Sequence, residues 1–182
     1  MVHYRVTPAT ALSAADWGRW GEIQSAAGHL DSPFFHPELT RLTASVRTDV
    51  EVATAHDGNQ TLAFFPFQRG PRHVAQAVTG RLSEFHGVIA SPEAEWSPNG
   101  MLQAAGLAAW HFDHLPLSQT AFQKHVWGTT ASPYIDLSRG YDAYRESLRK
   151  SGSSLSQTER KTRKLEREVG PLRFEFHTSD TA

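Results

Sequence analysis

"VEVATAHDGNQTLAFFPFQR", residues 50–69, has the pattern of two strands joined by a tight turn. Both runs are rich in β-branched and aromatic residues, which favour strands. Between them stand Asp57, Gly58 and Asn59, residue types that tolerate the positive φ of a tight hairpin connection. The stretch therefore predicts a β-hairpin, and the other elements are assigned outward from it.

The residues before the hairpin predict one strand and two helices. Residues 3–7 alternate as a short strand, and Ser13 with Asp16 matches a capping box at the start of a helix. Pro37 suits the first turn of a second helix. The apolar face of the first helix is expected to contain Trp17, Trp20, Ile23 and Ala27. That of the second is expected to contain Leu39, Leu42 and Val46.

The residues after the hairpin predict alternating strands and helices. We predict strands at residues 73–80, 111–117, 132–137 and 172–177, with an irregular segment at 81–100. We predict helices at residues 101–110, 141–150 and, after a break at 151–154, through Val169. The last helix carries a narrow apolar stripe, which is Leu155, Thr158, Thr162, Leu165 and Val169. This alternation predicts an α/β or α+β fold with a mixed sheet.

The composition is typical of one globular domain. With 182 residues, of which 39% are hydrophobic, the chain can bury a sizeable core. The formal net charge of −1 argues against a chain that coats nucleic acid or an anionic membrane. The lack of cysteine excludes disulfides, thiolate metal sites and a cysteine nucleophile. No long apolar run and no signal-peptide pattern occurs, so we expect a cytoplasmic protein with no membrane span.

The stretch LRKSGSSLSQTERKTRKLERE, residues 148–168, is the most charge-dense part of the chain. Its basic residues alternate with glutamates, which is typical of a solvated helix face. No aromatic residue lies between Tyr144 and Phe174 to stack on a single-stranded nucleic acid. We therefore predict no nucleic-acid partner, while a role in an interface or in binding an anionic ligand stays open.

The loop SEFHG, residues 83–87, combines a hydroxyl, a carboxylate, an aromatic ring and an imidazole after a predicted strand. Loops on a rigid scaffold commonly carry binding and acid–base groups. The candidate substrate-binding residues are therefore Ser83, Glu84, Phe85 and His86. No G-x-S-x-G, P-loop or G-x-G-x-x-G motif occurs, and no catalytic residue is assigned.

The stretch HFDHL, residues 111–115, raises the question of a metal site, because histidine and carboxylate side chains are common ligands. In a continuous strand, however, His111 and Asp113 would point to one face and His114 to the other. No H-E-x-x-H pair supports such a site. The sequence therefore predicts no metal site.

Several segments, taken in order, resemble one family. They are WGRWGEI, SPFFHPELTRL, the hairpin, SEFHG, and the stretch from SPYIDL to LRFEFH. Their order resembles the N-terminal portion of the CelD-type acetyltransferases, GNAT-superfamily proteins that are related to FemAB-like transferases and linked to cellulose and exopolysaccharide formation. The resemblance implies a GNAT-like mixed, mostly antiparallel sheet flanked by helices.

The resemblance also implies a protein of two GNAT-like halves. Residues 1–150 would form the N-terminal half, and residues 151–182 a basic helix and strand leading toward the second half, which could dock at that helix. Acetyl-CoA or another acyl-CoA would bind the second half, so this chain is expected to hold no cofactor and to be inactive by itself. The first half would shape the cleft for a small-molecule acceptor or sugar precursor.

Two functions follow from this resemblance. The first is the acceptor-side part of an acyltransferase that modifies an amine or hydroxyl of a sugar or cell-envelope precursor. The second is a non-catalytic binding module that persists without the acyl-CoA half. The family has a Ser-Asp-Tyr-like triplet where this chain has Ser83, Glu84 and Phe85, so the phenol is absent and Glu84 and His86 are the better polar candidates.

Overall fold

The computed structural model describes residues 2–152 and 155–175. Contacts divide the chain into two compact units, Met1–Gly128 and Thr129–Ala182. The predicted boundary at residue 150 is the last residue of a helix in the second unit. No described helix has the length and apolar character needed to cross a membrane.

One curled, mostly antiparallel sheet forms the centre of the first unit. Its strands are β1 (Val2–Pro8), β2 (Val50–Asp57), β3 (Gln60–Arg69), β4 (Val74–Gln76), β5 (Ile89–Ala90) and β6 (Ala109–His111). The order is β1-β2-β3-β4-β6, and β5 also pairs with β3. The pairing of β4 with β6 is parallel, whereas the other described pairings are antiparallel. The predicted α+β fold with a mixed sheet is confirmed.

The predicted hairpin is formed by β2 and β3. Asp57 pairs with Gln60, and Gly58 in the turn has a φ of 57°, which glycine adopts without a side-chain clash. The register shifts at a bulge between Ala55 and His56. Both strands are mainly buried, because the sheet is covered on both of its faces.

Helices lie on both faces of the sheet. The first unit contains α1 (Ala14–Ala26), α2 (Pro37–Val46) and α3 (Pro98–Ala104). One apolar cluster joins the first two helices to the sheet and includes Trp20, Ile23, Ala44, Val52 and Phe64. The other lies on the opposite face, at α3 and β6, and includes Ala53, Phe65, Met101, Leu107 and Phe122.

Helix α1 begins with the predicted capping box. The Asp16 amide donates to Ser13 Oγ at 3.1 Å, and the Ser13 amide donates to Asp16 Oδ2 at 3.1 Å. Trp20 and Ile23 are buried on the predicted face, and the Trp20 indole donates to the Phe35 carbonyl at 2.9 Å. The capping pattern and the apolar spacing therefore predicted this helix correctly.

Helix α2 begins at Pro37 as predicted, but the predicted buried face is wrong. The side chains of Leu42 and Val46 are 64% and 81% exposed, whereas Thr40 and Ala44 are buried. The small residues face β2 and the turn at residues 9–11, where they allow the helix to approach closely. Tertiary contact therefore chose the small-residue face over the more apolar one.

Two predicted elements near α3 have different bounds in the structure. The helix predicted at 101–110 ends at Ala104, because Gly106 adopts a φ of 58° just beyond the end of the helix. Its Gly100 lies directly against the ring of Tyr4, whose hydroxyl accepts a hydrogen bond from the Ser97 amide at 2.9 Å. The strand predicted at 111–117 instead forms at Ala109–His111 and stops there.

The second unit contains two helices, α4 (Tyr141–Lys150) and α5 (Leu155–Val169), as the sequence predicted. Glu159 of α5 contacts Arg145 and Arg149 of α4, each at 2.9 Å. Leu165 and Val169 are exposed. Leu155, at the start of the predicted stripe, is half-buried.

The strands predicted in the second unit are not observed among its described residues. Residues 132–137 are exposed and irregular. Pro133 lacks an amide hydrogen, and no other described segment of this unit is a strand with which these residues could pair. Residues 172–175 are also irregular, while Phe176 and His177 of the same predicted strand lie outside the described residues.

Candidate functional site

The loop at residues 83–87 is fixed by two of its own predicted site residues. Ser83 is buried, and its hydroxyl donates to the Phe85 carbonyl at 3.0 Å. The ring of Phe85 packs near Phe34 and Phe35, with centroid distances of 6.3 Å and 6.1 Å. Glu84 is exposed. Ser83 and Phe85 therefore serve the loop structure, and Glu84 is the residue of this loop that is exposed to other molecules.

His86 is buried, and both of its ring nitrogens lie within hydrogen-bonding distance of the backbone. Its side chain is 7% exposed, and its Nε2 lies 3.2 Å from the Ser83 carbonyl oxygen. Because a carbonyl can only accept, Nε2 carries the proton and Nδ1 presents a lone pair. The Asp113 amide lies 3.3 Å from that Nδ1 and donates to it. Burial lowers the pKa of His86, an effect that the nearby Asp113 carboxylate opposes.

Asp113 and His114 lie on a bend just after β6. Because the strand ends at His111, the two side chains do not alternate between faces, and the prediction that they would is wrong. His114 Nδ1 lies 2.8 Å from Asp113 Oδ1. The hydrogen bond from His114 is the main cause that lowers the pKa of Asp113.

The fold brings this bend against the 83–87 loop. The His86 amide donates to the His114 carbonyl at 2.9 Å, and His86 Nδ1 is 3.3 Å from Asp113 Oδ1. One ligand atom from each of His86, Asp113 and His114 lies within 4.8 Å of the others. We call these three residues the His–Asp–His cluster. His111, which shares the HFDHL stretch with Asp113 and His114, is not a member of this cluster.

A buried glutamine holds the backbone that follows His86. Gln119 accepts from the Val88 amide and donates to the Val88 carbonyl, each at 3.0 Å. A Cβ on Gly87 would lie 2.8 Å from Gln119 Cδ, so the glycine permits this close approach. The sequence analysis missed Gln119, because a single glutamine in a polar connection carries no periodic or motif signal.

An open groove lies elsewhere in the first unit, between α2 and the segment that follows β4. Its volume is about 500 Å³. The exposed side chains of Leu42, Val46 and Leu82 line it together with Thr79, which has a φ of 68°. Leu42 and Val46 were predicted to lie on the buried face of α2. They instead form part of a solvent-exposed surface.

In comparisons with known proteins, no family model, no curated protein and no solved structure matches this chain.

Proposed function

We propose that this chain is the acceptor-side part of a GNAT-type acyltransferase, acting on an amine or hydroxyl of a sugar or cell-envelope precursor. The order of segments that resembles the CelD-type acetyltransferases motivates the proposal. The observation that carries it is the meeting of the 83–87 loop with the bend at Asp113 and His114. This junction holds several polar groups on a rigid sheet, where a small acceptor could be positioned.

The cluster has the chemistry that an acceptor site requires. Acyl transfer needs a positioned nucleophile and a group that receives its proton, and it needs no covalent enzyme intermediate. Carboxylate and imidazole groups accept hydrogen bonds from an amine or hydroxyl. Asp113 and His114 are exposed and can be reached by a soluble molecule, while His86 is held behind them. We assign this cluster and the exposed Glu84 to acceptor binding.

The described residues of the first unit do not fit the pyrophosphate of an acyl-CoA at a helix N-terminus. Such a site needs free backbone amides in the first turn of a helix. In the first turns of α1, α2 and α3, the side chains of Ser13, His36 and Ser97 each already accept from one amide. Acidic residues in the first turns of α1 and α2 would also repel a pyrophosphate, and α3 is only seven residues long. The proposal therefore places acyl-CoA binding outside this unit and derives no step through it.

Ligand titrations of the full chain test the acceptor assignment. Glucosamine and cellobiose supply the two acceptor chemistries, and saturation-transfer NMR detects weak binding of either. We expect a saturation-transfer signal, which reports binding, for at least one sugar. This binding signal should be reduced in Glu84→Gln and in His114→Gln but retained in His111→Gln. Absence of this binding signal for both sugars would contradict the proposal. Saturable micromolar binding of acetyl-CoA in calorimetry would contradict the acceptor-side assignment.

A specific observation favours a second candidate, the non-catalytic binding module. Both helices of the second unit are amphipathic, yet none of the residues described between 129 and 175 is buried. An exposed apolar strip of this kind is typical of an interaction surface. Under this function neither sugar binds, and the chain self-associates at high concentration. Leu165→Glu should then restore the monomer in sedimentation experiments.

A further inference from the structure

The His–Asp–His cluster has the donor atoms of a metal site. Two imidazole nitrogens and one carboxylate oxygen converge within 4.8 Å. Such mixed nitrogen and oxygen sets suit Zn²⁺ and neighbouring divalent transition metals, whereas Mg²⁺ and Ca²⁺ prefer oxygen alone. Three protein ligands also leave at least one coordination position open, which is the arrangement of a reactive metal site rather than a closed structural one.

The orientation of His86 matches that of a metal ligand. In metal sites a histidine commonly donates its second ring N–H to a backbone carbonyl or carboxylate, which fixes the tautomer and the ring. Here Nε2 donates to the Ser83 carbonyl at 3.2 Å, so the Nδ1 lone pair points at Asp113. The ring is buried and is held in place before any ion arrives.

The contact between His86 and Asp113 is better explained with a cation than without one. His86 Nδ1 and Asp113 Oδ1 both present lone pairs, and they lie 3.3 Å apart. Among the described residues, the Asp113 amide donates to Nδ1 at the long distance of 3.3 Å, and His114 Nδ1 donates to Oδ1 at 2.8 Å, so no hydrogen bond joins Nδ1 to Oδ1. A cation bound to both atoms would replace this weak bond and turn a repulsive pair into two ligands.

The two distances to the Asp113 carboxylate fit an ion shared with either histidine. Asp113 Oδ1 is 3.3 Å from His86 Nδ1 and 2.8 Å from His114 Nδ1. Two bonds of about 2.1 Å to a common ion subtend angles of roughly 105° and 85° at these separations, close to the tetrahedral and octahedral values respectively. His114 must give up its Nδ1 proton to its other ring nitrogen, and its exposed side chain is able to adjust.

From these contacts we propose that His86, Asp113 and His114 form a binding site for one divalent transition-metal ion of the Zn²⁺ class. The open coordination position faces solvent, where the exposed Asp113 and His114 lie. It accepts water or an oxygen or nitrogen atom of a small molecule. The site does not depend on the proposed acyl transfer, because it rests only on the geometry of these three residues.

Calorimetric titration of the metal-free full chain with ZnCl₂ tests the site, and the absorption spectrum of bound Co²⁺ reports its nitrogen ligands. We expect one equivalent of Zn²⁺ to bind, with no competition from excess MgCl₂. Asp113→Asn and His114→Gln remove exposed ligands and should weaken binding at least about tenfold. His111→Gln changes a histidine of the same stretch outside the cluster and should leave binding unchanged.

Three results would overturn the site. They are the absence of saturable Zn²⁺ binding, retention of full affinity in both ligand variants, and an equal loss of affinity in His111→Gln, which would indicate adventitious binding by surface histidines. Circular dichroism of each variant checks that it is folded. Because Asp113 and His114 are exposed, their replacement should not unfold the chain, so the test does not require a change at the buried His86. Sugar binding without Zn²⁺ binding would overturn the metal site but not the proposed acceptor site.

Discussion

Both units contain helices with apolar residues at helical spacing, but the apolar face of α1 in the first unit is buried, whereas that of α5 in the second unit is exposed. In the first unit, α1 places Trp20 and Ile23 against the sheet. In the second unit, Glu159 of α5 contacts Arg145 and Arg149 of α4, and Leu165 and Val169 remain exposed. An amphipathic pattern therefore indicates that a helix forms without showing that its apolar face has a partner.

The two units should consequently respond to different perturbations. The first is stabilised by buried apolar surface, which depends little on salt. The second has helices joined by partly exposed ion pairs of Glu159, which salt screens.

The largest expected effect is the loss of a core aromatic ring. Trp20 is 1% exposed, stacks on Phe64 at 5.1 Å between ring centroids and donates to the Phe35 carbonyl. Trp20→Ala should lower the free energy of unfolding by about 3–5 kcal/mol, because it leaves a cavity and an unpaired carbonyl. Urea denaturation measures this change. The matched control Trp127→Ala removes a fully exposed indole and should change stability by less than about 0.5 kcal/mol. Equal losses of stability in Trp20→Ala and Trp127→Ala would show that burial of Trp20 does not stabilise the first unit.

A smaller effect is expected from acid, and it should arise in the first unit. His56 is buried between Thr54 and Thr61, and burial lowers its pKa from the ordinary 6.5. The unfolded chain then binds the proton more readily, so stability should fall as the pH drops below about 6.5. Melting temperatures at pH 7.5 and 5.5 measure this loss.

His56→Gln should reduce that pH dependence, and the part that remains should come from His86, whose pKa burial also lowers. Arg5 and His3 act in the same direction as burial on the pKa of His56, and Asp16 opposes them, so these groups are kept unchanged in the variant. The exposed His125 provides the control, because His125→Gln should retain the slope of the unaltered chain. Parallel slopes for His56→Gln and the unaltered chain would show that another group is responsible.

The smallest expected effect concerns the ion pairs of the second unit. Glu159 accepts hydrogen bonds from Arg149 and Arg145, which lower its pKa. Glu159→Gln should slightly reduce the helical circular dichroism signal at low salt, and the difference should disappear in concentrated NaCl. Glu166→Gln removes the same charge from the same helix without touching these arginines. A salt-independent difference would show that packing, and not charge, joins the two helices.

Local patterns predicted those elements whose geometry is set by neighbouring residues. The β2–β3 hairpin, the capping box of α1 and the helices α4 and α5 all agree with the sequence. The predictions were wrong where the structure depends on contact with residues far away in the chain. Residues 132–137 have a strand-like composition but no described strand beside them in their unit, and α2 buries its small face because of what it packs against.

The candidate site shows the same division. The sequence identified His86 and its loop, but it assigned Asp113 and His114 to opposite faces of a strand that in fact ends at His111. The sequence by itself determined the hairpin, the helix starts and the residue types available for chemistry, because these depend on short-range backbone and side-chain preferences. Only the tertiary structure decided that α2 buries its small-residue face and that His86 meets Asp113 and His114, because such contacts join residues far apart in the chain.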